Sequence, residues 1–523
     1  MNYDEFQSDK KRNNNSIQII KHSEVPFYYK TNLNGLFKKL PYCYIKVNNY
    51  EEIRECIEYA KSINKQVSIR NSGHSCCQYS IIEDSINIDM SNLNQIISID
   101  KEKMTAKVQS SLKFKDYYRI TTTKEEGHLM TTPGGGCGDV AIGGLVIGGG
   151  SNYLSPKWGT LIDSVLSMTV MLSNGSIVEC NDSNQYSDLF WAMRGSGHGL
   201  SILLDVTLQL KPIEPSLYHY SLKLNFNSIH FFENLLIIDK FTKTMDTRIY
   251  LSIDFRKSFK CQQQQQQKQP PQLLSRLTYF FNGPPEEGEM HFKELLSLLK
   301  SGGNGGGGNG DGDGGGGNGG TGEEYEFKKE IMDFKKVGKS FYDIISSFQI
   351  EQNEKARSFS KARFCKELNE SNIGFIKNIL DSMPSSLESM NVPDPNSSFS
   401  IMMYYHGGHS KTISKDKCAY VHRDNNWSMV VMANYSQYEN DDYFNKWKLI
   451  IDDNLSNIGN FIYQNYPDHE LTLKLRNTQS LFKNDSNLQH PYFGHHFQKL
   501  YSIKLKYDPT DFFSNHPQSI KLN

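Results

Sequence analysis

Two stretches of this chain carry residue types able to do chemistry together. The first, ending the run from Ile69, reads Arg70-Asn71-Ser72-Gly73-His74-Ser75. The second runs from Pro133 to Ser151 and is rich in glycine, with Cys137 near its start, Gly143 and Gly144 in its middle and Gly148, Gly149 and Gly150 at its end. Glycine permits positive φ and lets backbone N–H groups approach an anion closely. Two such turns make a cradle for a diphosphate. An imidazole and a thiol beside that cradle can each reach a bound ring.

The flanking pattern supplies elements to hold these loops. Residues 44–47 read as a strand, and 51–62 as a helix with Ile53, Cys56, Ile57 and Ala60 on one face. A second strand, 66–70, ends in the His74 loop. A loop at the carboxyl end of a strand in a strand–helix–strand unit is a natural place for a cofactor. Strands are expected at 85–90, 95–100 and 104–110, and a helix at 114–124. Beyond the glycine loop, 164–172 and 176–179 flank Asn174-Gly175, a hairpin signal. Residues 213–465 mix strand-like runs (218–224, 248–254, 399–405, 427–433) with helix-like ones (228–240, 292–300, 367–381), which suits an α+β unit built on a sheet. Two low-complexity inserts, 262–269 and 302–322, have no apolar groups to bury and read as surface loops. The glycine tract is not followed by Lys-Ser/Thr, so it is not a phosphate loop.

Bulk properties narrow the classes. With 523 residues the chain can form two or three domains. A formal charge of −1 gives no reason to expect nucleic acid or an anionic membrane as partner. The nine cysteines are odd in number, and none is spaced as a metal ligand pair, which fits a reducing compartment and predicts no metal site. The first residues are polar, and no apolar run of spanning length occurs, so a cytoplasmic protein is expected.

Several motifs in order resemble one family. Asp188-Leu189-Phe190-Trp191-Ala192-Met193-Arg194-Gly195, Tyr463-Gln464-Asn465-Tyr466-Pro467-Asp468, Tyr492-Phe493-Gly494 and Lys504-Leu505-Lys506-Tyr507-Asp508-Pro509 join the two loops. Together they resemble the berberine-bridge-enzyme-like branch of the vanillyl-alcohol-oxidase superfamily of FAD-linked oxidases. The resemblance implies an α+β fold: a PCMH-type FAD-binding domain over 35–212 after a leader (1–34), and a substrate domain with an antiparallel sheet over 213–465. A C-terminal segment, 466–523, would pack back on the FAD domain.

The same resemblance implies roles. His74 would bond the flavin 8α carbon and Cys137 flavin C6, with the thiolate favoured by neighbouring backbone N–H groups. Arg70, Asn71, Ser72, Gly73, Ser75, Gly143, Gly144, Gly148, Gly149 and Gly150 would line the diphosphate and ribityl chain. Ile202 would meet the adenine half, and Tyr492 would lie at the cofactor. Val140 would leave O2 a path to the ring. Tyr466 would take the substrate proton, with His496 as the alternative base. Plant relatives often carry Tyr where Cys76 and Ser151 stand, Glu or Gln where Val430 stands, and Asn-Tyr where His496 and Phe497 stand. A pocket different from theirs follows. The implied reaction oxidises an alcohol, or the anomeric hydroxyl of a sugar or oligosaccharide, with O2 as acceptor. A dehydrogenase with another acceptor and a non-catalytic flavin-binding protein are the alternatives.

Overall fold

The computed structural model describes residues 18–21, 34–37, 39–126, 128–224, 231–259, 273–301, 340–347, 357–485 and 487–522. The inserts 262–269 and 302–322, and most of the leader 1–34, lie outside the described residues.

The amino-terminal part holds two sheets. In the first, β1 (Gln18–Lys21) pairs antiparallel with β2 (Cys43–Lys46), followed by α1 (Tyr50–Ser62) and β3 (Val67–Arg70). β4 (Ile86–Asp89) runs parallel between β2 and β3. Helix α1 starts where it does because Asn49 caps it, accepting from the Glu52 N–H. Its buried face, Ile53, Cys56, Ile57 and Ala60, packs on Val67, Ile86 and Ile88. The second sheet is antiparallel: β5 (Ile96–Asp100), β6 (Thr105–Gln109), β8 (Val165–Met171), β9 (Ile177–Asn181) and β10 (Ile202–Gln209), in the order β5-β6-β10-β8-β9. The Asn174-Gly175 turn joins β8 to β9 as the sequence implies. Between these strands lie α2 (Phe114–Thr122), β7 (Met130–Thr131), the short α3 (Ile142–Val146) and α4 (Ser187–Ser196). β7 pairs with β11 (Lys211–Pro212).

The remaining sheet has six antiparallel strands in the order β12-β14-β13-β16-β17-β15. They are β12 (Tyr218–Leu224), β13 (Ile249–Ser258), β14 (Leu273–Phe281), β15 (Arg357–Cys365), β16 (Ser398–Tyr405) and β17 (Trp427–Tyr435). Helices α5 (Phe231–Thr242), α6 (Pro285–Ser301), α7 (Glu370–Asp381) and α8 (Asp441–Ile458) cover one face. Strand alternation sends Leu251, Ile253 and Phe255 into that helix-covered core, while Tyr250 and Phe280 join the core around β6, β8 and β10. The six-stranded sheet therefore presents a second, largely helix-free face to the amino-terminal part. β14 and β15 were absent from the sequence reading. In β15, Lys361 and Arg363 interrupt the apolar pattern although both are buried.

The carboxyl-terminal segment, with α9 (His469–Asn477) and α10 (Phe497–Tyr507), returns to the amino-terminal part. The Lys504-to-Pro509 motif explains how. Lys506 Nζ lies 2.7 Å from Asp188 Oδ2, and the Tyr507 hydroxyl donates to Asp188 Oδ1 at 2.6 Å. Lys504 Nζ reaches the Gly199 carbonyl at 2.6 Å and Asp508 at 2.5 Å, both side chains fully buried. Asp508 also accepts from the Phe512 and Phe513 N–H groups, and those rings complete the core of the parallel sheet. No helix among the described residues is long and apolar enough to cross a membrane.

Removing one partner of the Lys504–Asp508 pair strands a buried charge, a loss of about 3–5 kcal/mol. Lys504→Met is expected to lower the urea midpoint accordingly; an unchanged midpoint would contradict this role. Burial also holds His198 and His406 down to about 4, and His422 and His490 down to about 3. In the unfolded chain they titrate near ~6.5, so the unfolded state takes up protons first. Their contribution is fully present above that value and is lost as pH falls through about 4 to 3. Stability measured by denaturant titration is expected to drop steeply between pH 6 and 4, with His422→Gln flattening the slope.

Candidate active site

β3 delivers Arg70 to the edge of the His74 loop. Arg70 pairs with Asp89 on the neighbouring strand at 3.1 Å, both buried. Its guanidinium therefore ties two strand ends together. Asn71 Oδ1 accepts from the Ser111 hydroxyl at 2.6 Å and the Ser110 hydroxyl at 3.3 Å, which pins the loop to the end of β6. The Ala141 N–H donates to Ser72 Oγ at 3.0 Å, so the two chemistry-bearing loops are joined directly. Ser72 also lies 3.2 Å from His74 Nδ1 through its hydroxyl and its carbonyl. Gly73 is buried at φ +75°, a conformation that favours glycine. The N–H groups of Gly73, His74 and Ser75 find no acceptor among the described residues. That is the donor set an anion requires.

The glycine loop differs from its sequence reading. The N–H groups of Gly143, Gly148 and Gly149 bond to the Ser110, Leu145 and Val146 carbonyls, and that of Gly150 donates to the Tyr463 hydroxyl at 2.8 Å. They are not free to hold a diphosphate. These glycines serve close packing instead. A Cβ on Gly148 would stand 2.3 Å from Asn465 Oδ1, and one on Gly149 2.9 Å from the Tyr420 ring. Within this loop, Gly144 and Gly136 face open space. Of the expected cradle, the structure thus leaves Gly73, His74 and Ser75 as donors and Gly144 as an open wall.

His74, Cys137 and Tyr466 converge. Asp139, held by Lys115 at 2.8 Å and Lys113 at 3.5 Å, exerts its charge on both the His74 ring and the Cys137 sulfur. Cys137 in turn lies close enough to Tyr466 to act on its phenol. Burial pushes His74 below its ordinary value, so its imidazole is neutral near pH 7. Burial pushes the Cys137 thiol up, and the Asp139 and Val140 N–H groups, which favour the thiolate, do not overcome it. The expectation of a favoured thiolate is corrected on this point. Burial likewise raises the Tyr466 phenol above its usual range; Tyr404, within hydrogen-bonding reach, acts in the opposite direction. Val140 packs against the main hydrophobic core, and its carbonyl accepts from the Phe114 N–H at 3.0 Å.

The turn that carries Tyr466 is braced from beneath. Asn465 donates to the Leu145 carbonyl at 3.1 Å, and Asp468 caps α9. Fully buried Asp468 faces Lys361 and Arg363, each at 3.3 Å. This explains the two buried cations of β15: they hold the cap that fixes Tyr466.

Three expected site residues have other side-chain partners. The Tyr492 hydroxyl is engaged by the Asp468 N–H at 3.1 Å and by Thr472 at 2.6 Å, so Tyr492 braces the same turn. Ile202 packs in the core under the parallel sheet with Met171, Phe512 and Phe513. His496 contacts Asp416, His495, the Ala419 carbonyl and Trp191, and none of these contacts is to the two loops or to Tyr466. Its contacts thus lie apart from Tyr466, and the proton-accepting role proposed below rests on Tyr466. The sequence reading missed the far wall. Tyr404, Tyr250 and Tyr153 lie with Tyr466 on the open face of the sheet, and Tyr153 meets Tyr250 edge-on at 5.0 Å. Further along that face, Ser221, Asp254, Arg256 and Arg276 line a cavity of about 60 Å³. No local pattern marks these residues, because strand register alone aligns them.

Residues 41–181 match the FAD binding domain family and residues 462–521 the berberine and berberine-like family. The chain is 24% identical over 488 residues to the FAD-linked oxidoreductase dpmaF of Metarhizium anisopliae, covering 90% of this chain and 82% of that protein. Its fold is similar to berberine bridge enzyme solved with (S)-reticuline (TM-score 0.76, 19% identity, 98% of each chain). It is also similar to the glucooligosaccharide oxidase of Acremonium strictum (TM-score 0.72, 18% identity, 97% of this chain and 96% of that one), whose structure is described as revealing a novel flavinylation. Two matched segments, a shared α+β fold and a relative aligned over 82% of its length agree: the chain is an FAD-linked oxidoreductase that carries an FAD-binding domain and a berberine-like segment.

Proposed function

We propose that this chain is an FAD-dependent oxidase that holds its flavin through both His74 and Cys137 and oxidises a carbon bearing a hydroxyl, on an alcohol or at a sugar's anomeric centre. The observation that carries the reading is the convergence of three side chains from distant segments. His74 and Cys137 share the field of Asp139, Cys137 acts in turn on the Tyr466 phenol, and the Ala141 N–H to Ser72 bond joins the two loops. The bound flavin would supply hydride acceptance and the electrons that turn O2 into H2O2.

The chain's own part is to hold, orient and move a proton. Gly73, His74 and Ser75 N–H groups meet the diphosphate. Neutral His74 has the lone pair a covalent link requires. Cys137 enters as a thiol and must lose its proton when it bonds. Tyr466 Oη receives the substrate's hydroxyl proton. Because burial disfavours its phenolate, that transfer runs best if Tyr466 passes its own proton to Tyr404. Asp254, two residues from Ser252 on β13, where Ser252 is the cross-strand partner of Tyr404, has a buried Oδ1 with no hydrogen-bond partner among the described residues and is the carboxylate on that face able to take the relayed proton. Tyrosine rings near the base, with hydroxyl and charged groups beyond, suit a sugar, which stacks on aromatics and hydrogen-bonds along its edge. The similarity to glucooligosaccharide oxidase supports that substrate class.

Acid-precipitated protein is expected to stay yellow. His74→Ala and Cys137→Ala should each keep a single link, and the double variant should release all flavin; flavin retained in the double variant's pellet would refute the two tethers. Tyr466→Phe is expected to slow anaerobic flavin reduction by roughly 100-fold, with binding affinity little changed. Stopped-flow traces that match the wild type would remove Tyr466 from the chemistry. Reduced enzyme mixed with air should reoxidise rapidly with stoichiometric H2O2, whereas persistence for minutes would favour a dehydrogenase.

A further inference from the structure

Away from the flavin site, three side chains from two distant segments meet at one point. Asp416 Oδ1 lies 3.1 Å from His495 Nε2 and 3.1 Å from His496 Nε2, and the ligand atoms of all three lie within 4.8 Å of one another. We propose that Asp416, His495 and His496 form a binding site for a divalent transition-metal ion of the zinc type.

The chemistry fits that ion. Two imidazoles and a carboxylate are a common set for zinc, with water filling the fourth position. Metal–ligand bonds of about 2.0–2.1 Å in a tetrahedron put ligand atoms roughly 3.3 Å apart, close to the spacing seen here. Orientation is also provided. His496 Nδ1 faces the Ala419 carbonyl at 3.4 Å, the partner that places the ring proton on Nδ1 and leaves the Nε2 lone pair for a metal. The Asp416 main chain is fixed in turn, because Trp191 Nε1 donates to its carbonyl at 2.8 Å. Trp191 also packs edge-on against His496, ring centroids 4.9 Å apart, and fixes its plane.

Access is built in. His496 is buried at 3% exposure, while the His495 and Asp416 side chains are 44% and 77% exposed. The ion would enter from solvent and keep a water on its outer side. The flanking Lys415 and Lys417 are each matched by a carboxylate, Asp424 and Asp182. A bound ion would join the 415–417 turn to the start of α10 across Trp191. It would thereby clamp the returning carboxyl-terminal segment to α4. The site is independent of the catalytic reading, since none of its members touches the flavin loops.

The test uses untagged, full-length, flavin-loaded protein stripped with EDTA and dialysed against Zn2+. One zinc per chain and a rise in melting temperature are expected. Asp416→Asn and His495→Ala should each weaken zinc binding by more than about tenfold while keeping the flavin spectrum, and His495→Cys should retain zinc. Zinc uptake unchanged in both variants, or no stoichiometric uptake by the wild type, would overturn the proposal. Should Asp416→Asn fail to fold, the exposed His495→Ala decides alone.

Discussion

The contact on which the rest depends is the one between the Tyr463-to-Tyr466 turn and the glycine loop. Tyr463 accepts the Gly150 N–H, and Asn465 seats itself where a side chain on Gly148 would stand. That approach brings Tyr466 within the electrostatic reach of Cys137. The glycines are needed for what they lack: each missing Cβ is a place another segment can occupy. The catalytic geometry is thus a packing problem solved between residues more than 300 positions apart.

Burial outweighs charge throughout this site. His74 is pushed down, and Cys137 and Tyr466 are pushed up, chiefly because each is removed from water. The polypeptide by itself keeps all three groups neutral near pH 7. Neutral imidazole is suited to forming a bond, but neutral thiol and phenol are not yet activated. In the proposed reaction their activation would come from the bound flavin or from a proton acceptor behind them, the part given to Tyr404 and Asp254.

Much of this was legible in the sequence, and the failures have physical causes. Local periodicity and turn chemistry located α1, the β8–β9 hairpin and the strand that ends at His74. The Lys504-to-Pro509 motif was visible as a pattern, and its ion pairs with Asp188 and Asp508 give the reason for it. β15 was hidden because Lys361 and Arg363 look like surface residues until Asp468 is placed between them. The roles of Gly148 to Gly150 were misread because a run of glycines looks the same whether it serves an anion or a neighbouring side chain. Tyr492 and His496 lie near the right motifs but point to other partners. The tyrosines of the sheet's open face, and the Asp416–His495–His496 cluster, depend on long-range register that no single stretch encodes.

The placement of Phe512 and Phe513 within the amino-terminal core has a bearing on biogenesis. A nascent chain can form the parallel sheet early, yet that sheet lacks part of its apolar packing until Phe512 and Phe513 have left the ribosome. A product that stops before Phe512 would leave that apolar surface uncovered, the kind of surface that makes a partly folded species prone to aggregate.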